Sequence, residues 1–171
     1  MNYIDLLDEA KVKKTEIGYE GFELFQSDII DEEQAGYSFD LDGNDLTGEE
    51  DGKWRKEWIV VGRDTSLGDP LLIDTSKKEF PLYTAVHGEE SWDPVLLSPS
   101  LERFLKSLEI LRKLETEFHR VKETKDVAAF ESMRGLSLIE ILRLNEGCDD
   151  SFWEEMFDRL IEEVEEVLEF G

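Results

Sequence analysis

A single cysteine, Cys148, stands in a chain of 171 residues, so no internal disulfide can form and a cysteine-type zinc site lacks its other ligands. A buried or idle thiol is the expectation. Histidine is nearly as scarce: the chain has two, His87 and His119, and neither belongs to an HExxH motif or accompanies a Gly-x-Ser-x-Gly elbow. None of the twelve glycines falls in GxxxxGK(S/T) or GxGxxG, which removes the usual phosphate-cradling loops. Long apolar runs are missing too. Runs such as Trp58–Val61 and Pro70–Ile73, four residues each, are far short of the roughly 20 residues that a bilayer span needs. The first residues carry neither a basic region nor an apolar signal segment, and the expectation is a cytosolic protein with no membrane contact.

Positive charge is in short supply: 19 Lys and Arg face 43 Asp and Glu, for a formal net charge of −24. Such a surface repels phosphate backbones and anionic lipid and attracts basic partners, so nucleic acid is a poor candidate ligand. The imbalance is also segregated. From Asp28 to Asp51 there are ten carboxylates and no Lys or Arg, and from Asp149 to Gly171 ten carboxylates accompany only Arg159. By contrast, Leu101 to Lys125 holds seven basic and five acidic residues.

What is present in quantity is apolar material, 40% of residues with ten Phe and four Trp, enough for one packed core in one domain over 1–171. Tyr3, Leu6, Leu7 and Ala10 recur at helical spacing and predict a short helix over 2–13. Gly21–Gln26 and Tyr37–Leu41 alternate as half-exposed strands do, and the glycines at 43, 48 and 52 mark 42–53 as a mobile loop. Trp58-Ile59-Val60-Val61 is apolar on both faces, as a central strand would be, with Leu71-Leu72-Ile73 as its neighbour. Ser98-Pro99 signals a helix start. The stripe Leu101, Phe104, Leu105, Leu108, Leu111, Leu114, Phe118 and Val121 follows it and is expected to lie on the sheet. A helical segment over Asp126–Arg134 stops at Gly135, and another runs from Ser137 to Leu144. Ser151 and Glu154 read as a capping box for a last helix that buries Phe152, Met156, Phe157, Leu160, Ile161, Val164, Val167 and Leu168. Its Glu162, Glu163, Glu165, Glu166 and Glu169 are left in water.

The candidate chemistry is thin. Asp40, Asp42 and Asn44 occupy the first three ligand positions of a calcium loop, with Asp51 at the twelfth, yet Asp45 stands where such a loop wants Gly and Asp51 where it wants Glu. An acidic turn explains them better. For Asp64, Asp69 and Asp74, spacing alone establishes neither a metal cluster nor an acid–base pair. No catalytic, cofactor-binding or metal-binding residue is assigned. Trp92 is expected in the core, whereas Trp54, flanked by Lys53, Arg55 and Lys56, is expected to act as an exposed interface anchor.

From Trp54 to Leu105 the order of signals is more specific. A strand Glu57–Val61 ends at Gly62, and Gly68-Asp69-Pro70 turns the chain into a second strand through Asp74. A third run, Phe80–Val86, precedes Trp92 and the helix opened by Pro99. That succession resembles the SUKH superfamily, which groups bacterial immunity proteins, the Syd protein and a fungal cell-wall regulator. Its members carry a similar Gly-Asp turn between two core strands, an aspartate ending the second, and a Pro/Ser-led helix with a Phe-Leu pair, here Phe104-Leu105. The family's Leu-Pro and Asn-Gly pairs are absent before Trp54.

The resemblance implies an α+β fold in which a twisted antiparallel sheet is packed by helices, the long ones in the C-terminal half. It also implies a non-enzymatic immunity role, neutralising a basic protein toxin encoded nearby. A nuclease is the toxin that charge favours, because it needs a basic substrate cleft that an acidic inhibitor can occlude. The fungal branch implies the alternative of a cytosolic regulatory adaptor or scaffold in which a groove beside the sheet holds a partner peptide. The expected contact surface is the acidic segment with its aromatic neighbours: Asp31, Glu32, Glu33, Tyr37, Asp40, Asp42, Asp45, Glu49, Glu50, Asp51 and Trp54, with the C-terminal helix second.

Overall fold

In the computed structural model, which describes residues 2–88 and 91–170, six strands form one antiparallel sheet whose spatial order follows the chain. They are β1 (Lys14–Ile17), β2 (Glu20–Leu24), β3 (Trp58–Asp64), β4 (Pro70–Asp74), β5 (Leu82–Thr84) and β6 (Val95–Ser98). Four helices complete the fold: α1 (Tyr3–Glu9), α2 (Leu101–Thr124), α3 (Val127–Leu144) and α4 (Ser151–Phe170). This is an α+β fold with its long helices in the C-terminal half, as expected. No described helix is long and apolar enough to cross a membrane.

All five residues of β4 are buried. Successive side chains of a strand point to opposite faces, so both faces of the sheet are covered at its centre. Helices supply one cover. Phe22 of β2 meets Phe104 of α2 at 5.3 Å and Trp153 of α4 at 5.8 Å between ring centroids. The expected stripe of α2 is buried from Leu101 to Val121, with only Leu105 partly exposed. The chain between β2 and β3, which carries the acidic segment, folds back against β3.

The β3–β4 hairpin is built by its aspartates. The Asp64 carboxylate accepts the N–H groups of Ser66, Leu67, Gly68 and Asp69 at 2.6–3.3 Å, and Gly68 takes φ +79°, which a side chain resists. Within β3 the expected end at Gly62 is a continuation. The strand runs on to Asp64 with a bulge between Val60 and Gly62. A Cβ at Gly62 would meet the Glu23 carbonyl oxygen at 2.4 Å, so glycine here permits close pairing with β2.

Several local expectations are overturned by contacts made far along the chain. Tyr37–Leu41 is not a strand: Gln34 at the end of a 3₁₀ turn (Glu32–Gln34) binds β3, and only isolated bridges, Ala35 with Phe39 and Phe39 with Asp45, remain. Ser98 does not cap α2, because it is still paired with Leu82 as the last residue of β6. Ser100 caps instead, accepting the Arg103 N–H at 3.2 Å. α3 runs unbroken through Gly135 because Phe130 before it and Ser137 and Ile141 after it are all buried. α4 begins at Ser151 itself, whose N–H is taken by the Asp149 carboxylate at 3.0 Å, so Ser151 is helical and not the cap. Strands β1 and β6 have no counterpart in the sequence reading.

Candidate functional site

The acidic segment lies on the β2–β3 connection and is held from beneath. Buried Gln34 donates its amide to the carbonyls of Ile30 at 2.7 Å and Val60 at 2.9 Å, and its oxygen accepts the Val60 N–H at 2.9 Å. Above it, Tyr37, Trp54 and Trp92 form a mutual cluster with centroids 5.0–5.5 Å apart. Trp54 also meets Trp58 edge-on at 5.5 Å and donates its indole N–H to the Trp58 carbonyl at 3.1 Å. Trp92 is tied in through its N–H to the Gly52 carbonyl at 2.8 Å.

Trp54 is therefore not an exposed anchor. It is 1% exposed, a correction to the reading from its basic neighbours. Lys53 and Lys56 are exposed on either side of it, since the flanking charges turn to water while the indole turns into the cluster. Tyr37 is half-buried. Burial, followed by the negative charges of Asp69 and Glu33, pushes its phenol above the ordinary value.

The remaining candidates do share one surface element. Of the ten carboxylates from Asp28 to Asp51, eight are exposed, including Asp31, Glu32, Asp42, Asp45, Glu49, Glu50 and Asp51, while Glu33 and Asp40 are half-buried. Two of them shape the loop. Asp40 accepts the side-chain N–H of Asn44 at 2.8 Å together with the backbone N–H groups of Asn44 and Asp42, and these bonds, the side-chain one foremost, hold its carboxyl below the usual range. Asp45 accepts the Thr47 hydroxyl at 2.7 Å and its N–H at 2.8 Å, with the same consequence. Asp40 thus spends its oxygens on a turn, the role that its position in an imperfect calcium loop suggested. Arg55 reaches back to Glu49 at 3.2 Å and Asp51 at 4.0 Å.

The other carboxylates singled out are structural in geometry. Asp69 accepts both the backbone N–H and the ring Nδ1 of His87, at 2.9 and 2.6 Å. Asp74 accepts the Ser76 N–H and hydroxyl and lies 3.5 Å from the Lys77 ammonium. Among the described residues no three His, Cys, Asp or Glu side chains are placed to hold a metal ion. On α4, Glu162, Glu165, Glu166 and Glu169 face water as expected. Glu163 does not: it is half-buried and accepts the Tyr19 N–H at 2.8 Å.

A concave surface whose lining residues no sequence motif marks lies between α4 and one end of the sheet. It encloses about 520 Å³ over a floor of Phe22, Ala85, Phe152 and Met156. Leu67, Val86 and Val95 stand at its edge, 73%, 59% and 41% exposed. Gln34 was missed as well, since an isolated glutamine in an acidic stretch reads as a solvated side chain. Compared with known proteins, the chain matches no family model, no curated protein and no solved structure.

Proposed function

We propose that this protein is a non-enzymatic immunity protein of the cytosol that neutralises a basic protein toxin, a nuclease in the leading case, by presenting its acidic β2–β3 loop to the toxin's substrate cleft. The immunity role comes from the SUKH resemblance. One observation supports the mode of action: eight exposed carboxylates ride on a backbone already pinned by buried Gln34 and Trp54. Fixed negative charge speeds encounter with a cationic cleft and disfavours other partners. A loop ordered before binding loses less conformational freedom on association.

Co-expression with the reading frame adjacent to its gene tests the role, with rescue of growth as the expected result. Reversal of Glu32, Asp42 and Glu50 to Lys tests the surface, because all three are exposed and, among the described residues, their side chains take no part in the bonds that shape the loop. The triple variant is expected to slow association, most strongly at low salt where charges act beyond about 8–10 Å. Reversal of Glu162, Glu165 and Glu166 changes total charge equally on α4. Equal losses in the two triples would assign the effect to bulk charge, and undiminished protection by the loop variant would remove the loop from the interface.

A further inference from the structure

We infer that the groove between α4 and the end of the sheet is a second docking site, for an extended protein segment that carries apolar side chains flanked by Lys or Arg. None of its lining residues belongs to the acidic loop, so the inference stands whichever partner that loop meets.

The groove's walls come from four places. The β3–β4 turn gives Leu67, the end of β5 leads into Ala85 and Val86, the start of β6 gives Val95, and the first half of α4 gives Phe152 and Met156. Large apolar side chains at such exposure around a single concavity are the mark of a surface that binds something. Elsewhere on the molecule exposed apolar residues such as Leu136 and Ile139 sit on the outer side of α3 and line none of the principal cavities.

Charge selects the occupant. The lining includes Glu20, Asp64, Asp69, Asp93, Asp149 and Glu155 against one cation, Arg159. That cation is already engaged, its Nε lying 2.6 Å and its terminal nitrogen 3.2 Å from the two oxygens of the buried Glu20 carboxylate. Asp93 and Glu155 are both exposed at the rim. Glu20, Asp64, Asp69 and Asp149 are engaged within the fold. An anionic or purely apolar ligand would therefore leave the rim carboxylates Asp93 and Glu155 without a counter-charge, whereas a segment with alternating apolar and basic residues satisfies the floor and the rim together. The sheet adds backbone groups. β6 is an edge strand, and although Trp153 occupies the Leu97 carbonyl at 3.1 Å, among the described residues no further strand of the sheet pairs beyond Val95, where an extended segment would lie.

The experiment is fluorescence anisotropy with three labelled probe peptides: one alternating Lys or Arg with Leu or Phe, one with every apolar residue replaced by Ser, and one with every basic residue replaced by Glu. Four variants accompany the wild type: Leu67→Asp with Val86→Asp, Asp93→Lys with Glu155→Lys, Leu136→Asp with Ile139→Asp on α3, and the Glu32, Asp42 and Glu50 reversal of the loop. All these positions are exposed, and thermal melts confirm that each variant folds. The alternating probe is expected to bind the wild type, to weaken about tenfold or more in both groove pairs, and to keep its affinity in the α3 pair and the loop triple. No binding of that probe, equal binding of the Ser probe, unchanged binding by the groove pairs, or an equal loss in either control variant would each overturn the assignment. Loss of toxin protection in the loop triple with probe binding intact separates this site from the acidic-loop interface.

Discussion

Gln34 pairs with Val60 as a neighbouring strand would: its amide donates to the Val60 carbonyl and accepts from the Val60 N–H, both at 2.9 Å. That two-way exchange is the antiparallel ladder pattern, supplied here by a side chain. It fixes the start of the acidic loop to the sheet at a single buried point.

Replacing Gln34 by Leu roughly keeps the side-chain volume and removes both Val60 bonds together with the one to the Ile30 carbonyl. The expected loss of stability is about 1–3 kcal/mol for each Val60 group left without a partner, measured by urea denaturation. The variant carries the same net charge, so weaker partner binding by folded protein would show that loop order, beyond charge, contributes to the interface. A loss smaller than one orphaned group would mean that water or the loop backbone takes over the bonds.

Ile73 is fully buried in the middle of β4 and pairs with Ile59 of β3. Truncation to Ala is expected to destabilise the protein by about 2–5 kcal/mol through lost burial and the cavity left behind. Thermal unfolding reads this directly, and an unchanged melting temperature would contradict the central position of β4.

Gly135 lies inside α3 with ordinary helical geometry, and a Cβ there would meet no atom within 4 Å. Gly135→Ala is expected to raise stability by about 0.5–1 kcal/mol, since alanine gives up less backbone freedom in a helix and nothing opposes the added methyl. A lowered melting temperature would indicate that α3 bends at this point in solution.

Burial, joined by the negative charges of Glu20 and Glu166, raises the Glu163 carboxyl above its ordinary value of 4.5, against the opposing pull of the Tyr19 N–H and Lys122. A carboxyl raised in the folded state opposes folding once ionised: the penalty is absent below the ordinary value, grows as pH rises through the raised one, and is complete at neutral pH. Glu163→Gln removes the charge while its amide oxygen can still accept from Tyr19. The variant is expected to be more stable than the wild type near neutral pH, with the difference vanishing below about pH 4. A variant less stable at neutral pH would show that the charged bond to Tyr19 outweighs desolvation.

The parts legible in the sequence are those with a strong local period. The α2 stripe, the apolar β3 and β4, and the Gly-Asp turn between them appear where expected, because each is specified by residues two to four apart. The eight exposed acidic positions were legible for the same reason, since a run of carboxylates with no cation has nowhere to go but water. Trp54 was not, because its direction is chosen by Tyr37 and Trp92, well outside any local window.

By itself, then, the sequence determined an α+β chain of strongly segregated charge with a long amphipathic helix over an apolar sheet. Tertiary structure alone decided which single side chains leave the pattern: Trp54 turned inward, Gln34 made into a strand partner, Glu163 drawn to Tyr19 across 144 positions, α3 carried past its glycine, and a groove opened between α4 and the strand ends. The physical reason is the range of the interactions. Periodicity records the average face a segment buries, whereas one side chain's burial or hydrogen bond depends on whichever distant segment the fold brings to it.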